Sequence, residues 1–252
     1  MTVTGPNASA IPLAALFFSD IIANRIYKWS DETSLSIFLE NTAGANGLYF
    51  DDEGNIIVCE GSKGRVVSIN TSGEYTVIAN EYNSLQFNEP NDLWVAPDGS
   101  IYFSDPVYNS DLIQDGEHVY HISADRTTIS RVISDLVKPN GLIGTPDGTT
   151  LYVTDHSDNK TFKYTINEDG SLSDKQLFAP IGADGMTIDS LGNIYLACDD
   201  ILIFSSEGEL IETIEVPDRP TNTCFLGSAG KTLFITTMTS VYSLQMNVSG
   251  CF

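Results

Sequence analysis

Runs of four to six apolar and β-branched residues recur along the chain, separated by short polar segments carrying Asp-Gly, Glu-Gly or Ser-Gly. Runs of this length, bounded by turn residues, predict β-strands rather than helices. Residues 47–50, 56–59, 65–69 and 75–79 read as four consecutive strands. Asp52-Glu53-Gly54-Asn55 and Thr71-Ser72-Gly73-Glu74 supply hairpins between them, because Gly and Asn accept the backbone angles that tight turns require. No segment predicts an amphipathic helix longer than two turns.

The strand pattern repeats. Five segments share one template: Asn or Asp, a small or polar residue, an apolar stretch, a Gly turn and a second β-rich run. They open at Asn46, Asn91, Asn140, Asp184 and Asn222, at spacings of 45, 49, 44 and 38 residues, and a degenerate copy opens at Thr4. Repeats of about 40 residues with four strands each specify a β-propeller. The 252 residues hold six such units. The predicted fold is all-β, a six-bladed β-propeller of four-stranded antiparallel blades spanning residues 1–252 as one domain. The last unit has room for three strands, at 224–226, 233–236 and 241–246. A three-stranded final blade with an exposed edge is expected, or a closing contact made by residues 248–252.

Strands A to D of a propeller blade run alternately up and down from the axis outward, so strand A begins on the face where strand B ends. The A starts bring Thr4, Asn46, Asn91, Asn140, Asp184 and Asn222 to one mouth, and the B ends bring Asp20, Glu60, Asp105, Asp155, Asp199 and Thr237. This set is rich in carboxylates and carboxamides and holds no Lys or Arg. Asn or Asp ahead of Gly is ordinary turn chemistry, but turns alone do not require an oxygen-rich ring converging from several blades. Carboxamides with one or two carboxylates make a hard oxygen site for a divalent cation. Such an ion polarises carbonyls and acidifies bound water. Tyr108, in the B–C loop after Asp105, is placed to line the pocket, and His156, after Asp155, to touch a substrate. His121 lies in a strand C pattern and reads as structural, while Trp29 and Trp94 read as packing between blades. There is no Gly-x-Ser-x-Gly elbow and no phosphate loop.

Composition narrows the function classes. Twelve basic against 34 acidic residues give a net charge of −22, which argues against nucleic acid or an anionic membrane as partner. An apolar fraction of 42 % argues for a packed core rather than disorder. No stretch is long and apolar enough to span a bilayer, and residues 1–10 lack the basic start of a secretion signal, so a cytoplasmic location is expected. Cys59, Cys198, Cys224 and Cys251 lack metal-knuckle spacing and are expected to be buried free thiols.

Three segments carry a family resemblance. Asn91-Asp92 with 97–106, Pro139-Asn140-Gly141-Leu142 with 146–148 and 151–155, and Ala183-Asp184-Gly185-Met186 with Asp189 and 192–195 are each similar to gluconolactonase segments. In combination and order they resemble the senescence-marker-protein-30/gluconolactonase/luciferin-regenerating-enzyme group, over residues 16–245. The resemblance implies a six-bladed propeller with one divalent metal ion in the central channel (Ca2+, Zn2+, Mn2+, Mg2+ or Fe2+). It also implies hydrolysis of sugar lactones or related small lactones, a metal-activated water attacking the lactone carbonyl. It assigns metal binding to Asn140 and Asp184, the role of base or water-orienting group to Asp184, and substrate contact to Asn91 and Asn140.

The chain departs from the family at its start, where Thr4-Gly5-Pro6 stands for the family's Glu-Gly-Pro. A hydroxyl is a poorer cation ligand than a carboxylate. Glu60, on the same mouth, is the candidate to complete the metal set with Asn140 and Asp184. A catalytically silent binding propeller that has lost the metal is the competing expectation.

Overall fold

The computed structural model describes residues 3–4, 15–30, 34–108, 111–227 and 229–251. Six antiparallel sheets form the blades of a propeller, each built outward from the axis in chain order. Blade 1 holds β1 (Val3–Thr4), β2 (Leu16–Asp20), β3 (Arg25–Ser30) and β4 (Ser34–Glu40). Blade 2 holds β5 (Ala45–Phe50), β6 (Ile56–Glu60), β7 (Arg65–Ile69) and β8 (Tyr75–Ala79). A small hairpin, β9 (Glu81–Tyr82) and β10 (Leu85–Gln86), leads to blade 3, with β11 (Leu93–Val95), β12 (Ile101–Asp105), β13 (His118–Ile122) and β14 (Ile129–Ile133). Blade 4 holds β15 (Pro139–Gly144), β16 (Thr150–Asp155), β17 (Lys160–Ile166) and β18 (Leu172–Ala179). Blade 5 holds β19 (Met186–Ile188), β20 (Ile194–Ala197), β21 (Ile201–Phe204) and β22 (Leu210–Ile214). Blade 6 has three strands, β23 (Pro220–Leu226), β24 (Thr232–Thr237) and β25 (Val241–Gln245). Apart from one 3-10 turn at Gly61–Lys63, the described residues contain no helix, so none is long and apolar enough to cross a membrane.

Burial follows distance from the axis. Strands β6, β12, β15 and β23 are buried along their whole length, whereas β4, β8 and β22 are mostly exposed. Inner strands are covered on both faces by neighbouring blades, which accounts for their nearly continuous apolar runs. Aromatic pairs stitch successive blades: Phe17–Phe50 at 5.6 Å, Phe178–Phe204 at 6.0 Å and Tyr195–Phe225 at 5.2 Å between ring centres. Removing one buried ring of this kind costs about 3–5 kcal/mol. Trp94 packs so tightly on Gly144 of blade 4 that a Cβ there would overlap its indole.

Among the described residues, closure is made without a fourth strand in blade 6. Trp29 of blade 1 packs on Phe234 of blade 6 at 5.8 Å, and Leu16, Phe18, Cys224 and Leu226 share one apolar cluster across that boundary. The chain beyond β25 runs instead to blade 5, where Gly250 bridges Asp189 and the Cys251 N–H donates to the Ile188 carbonyl. All four cysteines are free; Cys59 and Cys224 are buried, but Cys198 and Cys251 are only half-buried, because both stand beyond the ends of their strands. His121 is buried against Tyr102, in keeping with a structural role.

Candidate functional site

The inner strands begin irregularly, and this irregularity builds the site. In blades 2, 4 and 6 the pairing of strands A and B slips between Ala45 and Leu48, Pro139 and Leu142, and Pro220 and Asn222. Such bulges free a residue from the ladder and re-aim its side chain. The glycines that follow the template's polar residue then tie blade to blade. Gly47 N–H donates to Asn91 O (2.7 Å), Gly141 N–H to Asp184 O (2.8 Å) and Gly185 N–H to Thr221 O (2.9 Å). A Cβ on Gly141 would overlap the Asp184 carbonyl, and one on Gly185 would overlap the Asn222 amide. Glycine is required at both positions by close approach, and that approach fixes where Asn140 and Asp184 stand.

Five of the sequence-predicted residues meet in one cavity. Asn91, Tyr108, Asn140, His156 and Asp184 all line a mouth cavity of about 640 Å³. Asn140, 3 % exposed, donates through Nδ2 to the Tyr108 hydroxyl at 2.7 Å. Tyr108 is held in turn by its N–H on Glu89 Oε2 (3.0 Å) and by Lys138 Nζ over its ring at 4.7 Å. Burial raises the pKa of Asp184, with charge from His156 and a hydrogen bond from Asn140 acting in the opposite sense. Deeper in the channel, Asp92 is pushed up to about 7 by burial, with the charge of Asp184 adding to the shift. Asp92 and Asn222 also line a second cavity of about 290 Å³.

The carboxylates predicted at the ends of strand B do other work. Asp155 accepts the N–H groups of Val137 (2.7 Å) and Lys138 (2.9 Å), and Asp105 accepts that of Asn88 (3.0 Å). Each ties the connection from the preceding blade to its own strand B. Asp20 accepts the Ala23 N–H within its own loop. Glu60 does not line the cavity. The β6–β7 register sets it opposite Arg65, and its buried carboxylate pairs with that guanidinium. Nor does Thr4 stand at the mouth. It pairs with Phe17, three positions below the end of β2 at Asp20, whereas Pro139 beside Asn140 pairs with the terminal Asp155. The expected absence of cations from the mouth also fails, because Arg219 lines the cavity. Arg219 precedes strand A of blade 6, one step outside the repeated template. Its only sequence signal was a basic residue immediately before an inner strand.

The donor set fits a hard divalent cation. One carboxylate, Asp184, and the amides of Asn140, Asn91 and Asn222 line the same cavity. The raised pKa of Asp184 marks a buried negative charge that its neighbours leave undercompensated, a condition a bound cation relieves. Among the described residues no three His, Cys, Asp or Glu side chains converge on one point. The set is therefore a carboxylate with neutral oxygens, which suits Ca2+ or Mg2+ better than the His- and Cys-rich sites of Zn2+.

Residues 10–239 match the family described as the SMP-30/Gluconolactonase/LRE-like region. The chain belongs to this family. It is similar to the gluconolactonase of Zymomonas mobilis, 27 % identical over 93 % of this chain and 76 % of that protein. The 6-deoxy-6-sulfogluconolactonase of Pseudomonas putida is 24 % identical over 94 % of this chain and 88 % of its own length. Among solved structures, a gluconolactonase from Xanthomonas campestris superposes with a TM-score of 0.86, at 28 % identity over 92 % of this chain and 82 % of that one. The sequence-based resemblance and the six-bladed fold are thus both borne out, and this SMP-30/gluconolactonase/LRE-like chain keeps the Asn140 and Asp184 motifs inside its cavity.

Proposed function

We propose that the chain is a lactonase that opens a sugar lactone or a related small lactone to the hydroxy acid. Five residues from the family-like motifs and their adjoining loops, Asn91, Tyr108, Asn140, His156 and Asp184, line one cavity, and this convergence carries the reading. The gluconolactonase and sulfogluconolactonase relatives support the reaction class.

Asp184 and Asn140 would hold a divalent cation, which when bound polarises a carbonyl and acidifies water. The chain's own groups supply the rest. Asp184 orients the attacking water and takes its proton. Asn91 and the Nδ2 of Asn140 donate to polar atoms of the substrate, and Asn140 is pre-aligned by its bond to Tyr108. His156, at the end of strand B in blade 4, closes the wall next to Asp184 and contacts the sugar. Water adds to the acyl carbon, the ring C–O bond breaks as the leaving ring oxygen takes the proton that Asp184 removed from the water, and the acid formed releases its own proton at neutral pH.

Proton release from a panel of sugar lactones tests the proposal. Wild type should exceed the spontaneous rate, and Asp184→Ala should return it to background while remaining folded. Wild-type protein with no activity on any lactone, or an active Asp184→Ala, would overturn it.

A further inference from the structure

Among the described residues, Arg219 is the single Lys or Arg lining the mouth cavity, whose lining also includes Glu89, Asp92 and Asp184. In a chain of −22 net charge a guanidinium would ordinarily be claimed by a carboxylate. Lys138, near the same mouth, is claimed in this way. It donates to the Val107 carbonyl, lies 3.6 Å from Glu117 and stacks on Tyr108. Among the described residues Arg219 makes no ion pair. Its backbone, by contrast, is fixed on both sides. The N–H donates to Asp218 Oδ1 at 3.0 Å, and the carbonyl accepts the Met238 N–H at 3.3 Å. The Gly185–Thr221 hydrogen bond sets this segment beside the Asp184 turn. Blade 6 stands across the six-bladed ring from blade 3, which supplies Asn91 and Tyr108. A substrate that reaches from blade 3 past Asp184 therefore ends at Arg219.

We infer that Arg219 selects lactones carrying an oxyanion, a carboxylate, phosphate or sulfonate on the part of the sugar away from the reacting carbonyl. A guanidinium is charged at every working pH and offers paired N–H donors that match two oxygens of such a group. The exposed side chain has lost little hydration before the substrate arrives. The inference rests on the lactonase reading for its reaction and on Arg219 alone for its selectivity.

The test compares kcat/KM for neutral glucono-1,5-lactone, glucaro-1,4-lactone with its free carboxylate, and 6-phosphoglucono-1,5-lactone, in wild type, Arg219→Gln and Arg219→Lys. The anionic-to-neutral ratio should fall roughly tenfold or more in Arg219→Gln, the size of a lost charge-assisted contact. The loss should appear in KM, and Arg219→Lys should recover part of it. The arm with the larger fall identifies carboxylate or phosphate as the preferred group. A ratio unchanged in Arg219→Gln, or equal losses on all three lactones, would overturn the inference; equal losses would mean that Arg219 acts through Asp184. If wild type opens no lactone, the reaction has failed but the selectivity is still read by NMR titration with glucuronate and glucose. Tighter binding of glucuronate that is lost in Arg219→Gln supports the inference, and equal binding of the two sugars overturns it.

Discussion

Asn140 Nδ2 and the Tyr108 hydroxyl lie 2.7 Å apart, joining the bulged start of blade 4 to the B–C loop of blade 3 across the mouth cavity. The bond fixes the amide plane of a residue proposed to bind both cation and substrate. Tyr108 is itself 43 % exposed, so its hydroxyl serves the site more than the core. Tyr108→Phe should lower kcat/KM for the lactone by about fivefold, the worth of one neutral hydrogen bond. The urea midpoint should barely move. Unchanged kinetics would mean that Asn140 is aligned by its backbone alone.

The Glu60–Arg65 pair separates stability from metal binding. Both side chains are largely buried, with 4 % and 16 % exposure. Arg65→Met strands the Glu60 carboxylate and should destabilise the fold by roughly 3–5 kcal/mol. Glu60→Gln should leave metal affinity, measured by calorimetric titration, equal to wild type, whereas Asp184→Asn should abolish it. Loss of affinity in a folded Glu60→Gln would return Glu60 to the ligand set.

Much of this was legible in the sequence, and the remainder shows what repeats conceal. Strand and turn signals recur with the blade, so the six units and the short last blade could be read from periodicity. The Asn140 and Asp184 motifs sit on the template itself and reached the cavity as expected. Glu60 occupied the correct end of its strand, but its partner was decided by cross-strand register, which placed Arg65 opposite. Asp105 and Asp155 were expected among the carboxylates of the mouth, and they receive backbone N–H groups from the preceding connections. Thr4 was misplaced because the pairing of β1 depends on which residues meet β2, and spacing alone does not fix that. Arg219 lies in a connector, outside the repeated template, where no periodic signal reaches.

Asp105 should make stability depend on pH. Burial pushes its carboxyl up to about 8, with N–H donation from Asn88 and Glu89 opposing the shift and the charges of Glu117 and Glu89 adding to it. An unfolded aspartate titrates near pH 3.9, roughly. Between these values the folded chain keeps a proton that the unfolded chain has lost, so this group's contribution is greatest at acid pH and is lost as pH rises through the folded value. Asp105→Asn cannot titrate, and its side-chain oxygen can still accept the Asn88 N–H. Relative to wild type, its urea-derived stability should rise from about pH 5 to about pH 8 and level off above. Parallel pH profiles would show that Asp105 is ionised in the fold throughout.

The central claim, lactone opening that depends on a cation held by Asp184 and Asn140, is tested most directly by metal add-back. Chelator-stripped protein is mixed with glucono-1,5-lactone and the anionic lactones, and proton release is followed above the spontaneous rate. Calcium, magnesium, manganese, zinc and iron(II) are then added one at a time. The expected result is background hydrolysis without metal and recovery with at least one ion in wild type, but with none in Asp184→Asn. Full activity in the stripped protein, or no activity with any ion from protein shown to be folded, would contradict it.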